Sequence, residues 1–193
     1  GKIDSAMKRN RCTVGIYHGT PKVIFNELIE KWPINKVVCN EDYEPYATKR
    51  DEEIKKLLSQ KGIIFEQYKD QVIFQKNDVI KDDGNPYKVY TPYSKKWLSL
   101  YQEQQIKYFP SENLLDNCYN CSSLPKYNLS DLGFSKSHLT QPIPIFNNTI
   151  IDEYEETRNF PSLDKTSRIG VCLRFGTISI RKAVKLSVSR KNH

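Results

Sequence analysis

The sequence has no run of apolar residues near the roughly 20 that cross a bilayer as a helix. Its opening, Gly1-Lys2-Ile3-Asp4-Ser5, lacks the apolar core of a secretory leader. Neither a membrane anchor nor export is expected. Histidine is scarce, with three in 193 residues, and no Ser-His-Asp set, Cys-His pair or complete Walker-type loop stands out. The five cysteines (Cys12, Cys39, Cys118, Cys121, Cys172) are odd in number. Cys39 and Cys172 lie in apolar runs, where cysteine behaves as a small buried hydrophobe. Cys118 and Cys121 form a single CxxC. Zinc would want a second pair, or histidines at ligand spacing, and His138, the nearest histidine downstream, has no partner. No metal is expected, and the cysteine pattern suits a reducing, cytoplasmic setting.

What is present fits a globular chain: 38% of residues are hydrophobic and 27% charged. The length suits one domain, or one domain plus part of another. The net charge of +7 favours polyanions through release of condensed counterions. Its lysines and arginines are spread out rather than clustered, so charge alone does not separate a nucleic-acid surface from a solvated one.

Strand and helix signals alternate through the first ninety residues. Residues 2–10 read as the end of a helix that feeds a short strand at Thr13–Tyr17. Thr20 suits an N-cap, and Pro21 the first helical position. Ile24, Phe25, Leu28, Ile29 and Trp32 then recur at helical spacing until Pro33. A second strand is predicted over Ile34–Cys39. A helix follows from the Asp42–Pro45 turn, burying Ile54, Leu57 and Leu58, and Lys61-Gly62 ends it. Ile63-Ile64-Phe65 begins a third strand. The expected fold class is α/β: a partial Rossmann-like parallel sheet with flanking helices. Beyond it the chain is turn-rich over 76–96, with a helix expected over Trp97–Tyr108. From about 109 to 150 it is rich in Pro, Asn and Ser, a long connector with one helical turn at Leu129–Leu132 capped by Asn128. The first helices of an all-α domain then follow: Ile150–Arg158, Arg168–Phe175 capped by Thr166 and Ser167, and a further helix capped by Ser179. The expected division is 1–95, 96–150 and 151–193.

The segment from Tyr154 to Gly170 carries the chemistry. Two hydroxyls at a helix start, the free amides of its first turn and the positive end of its dipole can together hold a phosphate. Arg158 and Arg168 add charge, and arginine can grip phosphate with two parallel bonds. The plain alternative is that Thr166 and Ser167 are ordinary caps that bind nothing.

Three blocks of residues resemble one family. Tyr154…Arg158…Pro161…Thr166-Ser167-Arg168-Ile169…Leu173-Arg174-Phe175-Gly176…Ile178-Ser179 resembles the opening of the FAD-binding domain of DNA photolyases and cryptochromes. Asn40-Glu41-Asp42-Tyr43-Glu44-Pro45-Tyr46…Arg50-Asp51 resembles the α/β domain of the same family. Lys69-Asp70-Gln71-Val72-Ile73-Phe74, with Gly84-Asn85-Pro86-Tyr87 and the run to Trp97, is the third block. They stand in the family's order and span about residues 12–185.

The resemblance implies that Tyr154, Thr166, Ser167, Arg168, Ile169 and Gly170 contact FAD, chiefly around its phosphates. It implies that Arg158 contacts a DNA phosphate. The implied activity is that of a deoxyribodipyrimidine photolyase, a lyase in which light-excited reduced flavin passes an electron to a cyclobutane pyrimidine dimer, which splits and returns it. The implied partner is DNA containing pyrimidine dimers, and the implied state is a monomer. In many members of the family the α/β domain also carries a second, antenna chromophore, whose identity the sequence does not specify. The family's first strands and most of its helical domain have no counterpart here. The chain is therefore expected to be an internal fragment that is inactive alone and holds no catalytic residue. The alternatives are a cryptochrome-type flavin photoreceptor and an inactive, non-enzymatic remnant.

Overall fold

A computed structural model describes Met7 and residues 13–190 apart from 76, 105, 108, 120, 122–123 and 139–142. Cys12 and all but one residue of the helix end expected over 2–10 lie outside the described residues. The chain forms two compact units: residues 1–37, 49–65 and 109–140 in one, and 38–48, 66–108 and 141–193 in the other.

In the first unit, helices pack around the starts of two strands, whose later residues, 38–40 and 66–68, count with the second. Helix α1 (Pro21–Lys31) starts with proline at its first position, where the absent N–H costs nothing. Thr20 is extended, as a cap should be, but its hydroxyl bonds nothing in the first turn. Trp32 and Pro33 end the helix as expected. Strand β1 (Lys36–Asn40), helix α2 (Pro45–Ser59) and strand β2 (Ile64–Tyr68) follow. The two strands pair in parallel: the Ile64 amide donates to the Asn35 carbonyl at 3.0 Å and the Glu41 amide to the Tyr68 carbonyl at 2.9 Å. A parallel pair needs a crossover, and α2 is that crossover.

Ile54 and Leu58, one helical turn apart on α2, are 3% and 0% exposed. They cluster with Ile63 and take Phe25, Ile29, Ile34, Val37 and Phe65 around them. Gly62 sets the α2–β2 turn. Its φ of +69° lies in the left-handed region. The Ile63 amide reaches back to the Leu58 carbonyl and the Gly62 amide to Ser59, both bonds of a Schellman motif. The motif's apolar contact is Ile63 against Leu58, so the turn and the core are made by the same residues. Asp51, 6% exposed, is paired with the Arg50 guanidinium at 2.7 Å.

Three sequence expectations need correction here. Residues 13–18 are not a strand: the Ile16 amide bonds the Pro125 carbonyl at 2.8 Å, within irregular chain, so the apolar run finds no ladder. The helical turn near 130 is a 3-10 segment, Ser130–Leu132, with Leu129 at its N-cap. Asn128 does not cap it with its side chain; its own amide is held by the Asp131 carboxylate at 2.7 Å. Cys39 and Cys172, expected inside, are half-buried.

In the second unit helix α3 (Tyr90–Glu103) begins seven residues before the expected Trp97. Thr91-Pro92 reads as a turn, yet proline is tolerated in a first turn, where no bond is lost. The early start puts Trp97 and Tyr101 on one face. Their rings stack 5.4 Å apart, and Phe74 meets Trp97 edge-on at 5.2 Å. Lys69 lies over the Phe74 ring and its ammonium bonds Asp78 at 2.8 Å, while the same carboxylate accepts the Gln75 amide. Burial alone would raise the Asp78 pKa. The Lys69 hydrogen bond, the Gln75 amide and the Lys69 charge outweigh it and hold the carboxyl below its ordinary value.

Two outcomes test this account. Leu58→Ala should cost about 2–5 kcal/mol of stability through the cavity it leaves, whereas Gly62→Ala should cost only about 1–2 kcal/mol, since an added Cβ meets nothing within 4 Å and only the left-handed backbone is penalised; urea melts of both variants check this. Because the folded Asp78 pKa is depressed, its contribution is complete at neutral pH and is lost as pH falls through that value, below about pH 4. Trp97 fluorescence should therefore hold steady down to about pH 4 and change below it, and Asp78→Asn should abolish that acid step.

Candidate functional site

The helix expected over Ile150–Arg158 forms as two short pieces. Helix α4 (Asn148–Asp152) is capped by the Asn147 side chain, which accepts the Ile150 amide at 3.1 Å. Helix α5 (Tyr154–Thr157) follows after Glu153. The Thr157 hydroxyl donates back to the Glu153 carbonyl at 2.8 Å, a bond that competes with the regular ladder at the break. Helices of four or five residues do not sustain themselves, so tertiary bonds must hold them. One such bond is the Arg190 fork on Asp152, whose Nε donates at 2.7 Å. The hydrogen bond from Arg190, with its charge, holds the Asp152 carboxyl below its ordinary value.

Tyr154 is 52% exposed. Arg158 lies on the same helical turn, its amide bonded to the Tyr154 carbonyl at 2.9 Å and its side chain exposed. The other expected contacts lie in the segment 164–170. The Lys165 ammonium bonds Glu153 Oε2 at 2.6 Å. That ion pair ties the residue before Thr166 to the residue before Tyr154, so the two halves of the expected site are brought together. The Ile145 amide bonds the Ser167 carbonyl at 2.8 Å and fixes the segment from its other side.

Thr166 and Ser167 do not cap a helix from Arg168. They lie in irregular chain, and helix α6 (Gly170–Arg174) starts two residues later, with Ile169 at its N-cap and no side chain capping it. The reason is Arg168, which adopts φ +53°. A right-handed helix cannot run through a left-handed residue, and outside glycine that conformation costs roughly 1–2 kcal/mol. The Arg168 guanidinium is held by the Asp164 carboxylate. With no side-chain cap, the first amides of α6 have no intrahelical partner. Thr166 and Gly170 are exposed, Ser167 and Ile169 half-buried, and a Cβ added at Gly170 meets nothing within 4 Å. The result is an open, donor-rich edge made of one exposed hydroxyl, a strained arginine and a bare helix start. Sequence spacing gave a faint signal for Asp164–Arg168, four residues apart; the Glu153–Lys165 tie spans twelve residues and left none.

Among the described residues no group of three or more His, Cys, Asp or Glu side chains is placed to hold a metal, and no helix is long and apolar enough to cross a membrane.

The DNA photolyase family model matches residues 2–111, more than half of the chain. An uncharacterised 31.6 kDa protein of Synechococcus sp. is 28% identical over 200 residues, covering 98% of this chain and 70% of its own length. The deoxyribodipyrimidine photo-lyase of Halobacterium salinarum is 26% identical over 188 residues, covering 92% of this chain. That of Alkalihalophilus pseudofirmus is 27% identical over 192 residues, covering 91%. The chain spans 39% of the length of each of these two photo-lyases. In three dimensions it matches the crystal structure of a class III photolyase from Agrobacterium tumefaciens with a TM-score of 0.77 at 21% identity, over 99% of this chain and 43% of the other, a likeness of fold. The two parallel strands with their crossover helix, and a family match running through both, leave one conclusion: the chain belongs to the DNA photolyase family.

Proposed function

We propose that this chain is part of a deoxyribodipyrimidine photolyase, an FAD-dependent, light-driven lyase that splits cyclobutane pyrimidine dimers in DNA. The observation that carries the reading is that nine tenths of the chain aligns with relatives named for this activity. On this reading residues 1–95 belong to the α/β domain, 96–150 to the connector and 151–193 to the opening of the FAD-binding domain.

The open edge described above fits a dinucleotide's phosphates. Thr166 offers an exposed hydroxyl, and the uncapped start of α6 offers backbone donors. Gly170 leaves space for close approach. Ser167, Arg168 and Ile169 shape the path into that helix, and Arg168 adds positive charge partly neutralised by Asp164. Tyr154 is exposed and follows Glu153, which the Lys165 ion pair ties to the same segment, and its phenol and apolar ring suit a flavin contact. Arg158 is exposed one turn along and suits a phosphate of the damaged strand, a contact that positions the DNA without reading its sequence. When bound, reduced and photo-excited FAD supplies the electron that opens the dimer. The residues of this chain bind and orient.

Two measurements test the reading. The natural gene product, placed in a bacterial host without photoreactivation, should raise survival after ultraviolet damage in blue light but not in darkness. Equal survival in both overturns the lyase assignment, and retained flavin without repair would mark a photoreceptor. Thr166→Val and Gly170→Val should each weaken FAD binding about tenfold or more, the loss of one charge-assisted hydrogen bond or of close approach. Both variants should melt within about 1 kcal/mol of the wild type, as exposed positions do; flavin fluorescence titration and thermal melts separate the two effects.

A further inference from the structure

Helix α7 (Ile180–Val188) carries Arg181 in its first turn. The Arg181 side chain is only 18% exposed, and its guanidinium reaches residues more than a hundred positions earlier in the chain. One nitrogen bonds the Asp70 carboxylate. The other donates to the Lys69 carbonyl at 2.7 Å. Asp70 is held in turn by the Asn40 side-chain amide at 3.2 Å. Asn40 ends β1, and Lys69-Asp70 is the loop that leaves β2. The arginine therefore grips both parallel strands where they exit the sheet.

The grip reaches α6 because the link between α6 and α7 is stiff. Gly176, at φ +63°, closes α6 in a Schellman motif: the Gly176 amide bonds the Leu173 carbonyl at 3.2 Å and the Thr177 amide bonds Cys172 at 2.9 Å. The Thr177 hydroxyl also donates to the Cys172 carbonyl, at 3.3 Å. Two residues on, Ser179 caps α7 by accepting the Lys182 amide. No free residue lies between the two helices. At the end of α6, Arg174 adds an ion pair with Glu44 at 3.2 Å, in the loop that leaves β1. Both groups are exposed, so this second contact contributes little and the guanidinium of Arg181 is the effective anchor.

We infer that Arg181 is a positioning residue for the phosphate-holding edge: by clamping the α6–α7 hairpin to the strand exits through Asp70 and the Lys69 carbonyl, it sets where the start of α6 stands. The inference rests on the FAD reading above. It adds a role for a residue that touches no phosphate, and makes Asp70 and Asn40, far away in sequence, determinants of flavin affinity. Lysine cannot replace the fork, since it cannot reach a carboxylate and a carbonyl with fixed parallel donors.

The test uses Arg181→Lys and Asp70→Asn in the full chain, with two readouts. Hydrogen exchange of the bonded amides of 173–177 and 182–188 reports the clamp without any flavin. FAD titration reports its consequence. Both variants should speed exchange in both helices about tenfold while amides of α2 keep their protection, and should raise the Kd for FAD about tenfold. Arg181→Lys combined with Asp70→Asn should be no worse than either alone, because the two act through one contact. Unchanged exchange overturns the clamp whatever the flavin does. Faster exchange with unchanged FAD affinity overturns the positioning role and leaves the FAD reading standing. A natural full-length gene product that takes up no FAD overturns both readings.

Discussion

Parallel pairing of two short strands is the constraint from which the rest follows. Strands β1 and β2 run the same way, so the loops that leave them emerge at the same end of the sheet. Ligands in open α/β sheets gather at that end. Here the exits supply Asn40, Glu44 and Asp70: Glu44 and Asp70 accept arginines from helices far downstream, and Asn40 donates its side-chain amide to Asp70. An antiparallel pair would have put one exit at each end and offered no common docking surface. The crossover that parallel pairing demands is α2, which also carries the buried Ile54 and Leu58.

A second theme is how little of the downstream region could stand alone. Helices α4, α5 and α6 have four or five residues each. Their nucleation is not repaid by length, so each is held by bonds to something else. Asp152 is held by Arg190, Glu153 by Lys165 and the Ser167 carbonyl by the Ile145 amide. These are mostly half-exposed ion pairs, each weak because water screens it. The order of the segment comes from the number of these ties, together with the burial of Ile151 and Ala183.

The sequence made the helices and strands of residues 21–68 legible because each was marked twice, by apolar spacing and by a breaker: Pro21 and Pro33 around α1, Gly62 after α2. The expected fold class and family stand on that legibility and on the three ordered motif blocks. Where marks conflicted, expectation failed. Pro92 looked like a turn and sits inside α3's first turn. Thr13 to Tyr17 looked like a strand but strand formation needs a neighbour, which local sequence cannot supply. The helix expected from Arg168 begins at Gly170, because a backbone angle at one arginine overrides two good capping residues. The long-range ties, Glu153–Lys165 and Asp70–Arg181, leave no trace in spacing, since charge pairs at such separations follow from topology. The family assignment does not depend on the misplaced helix start; it rests on the match through residues 2–111.

Arg168 places two demands on a single position that no residue type meets together. Its left-handed backbone would be relaxed by glycine, which would surrender the guanidinium beside Asp164 and the exposed edge. Its charge would be kept by any route that leaves the backbone strained. A protein selected only for thermal endurance would drift toward glycine there, and one selected for grip on an anion would keep the arginine and tolerate a softer fold.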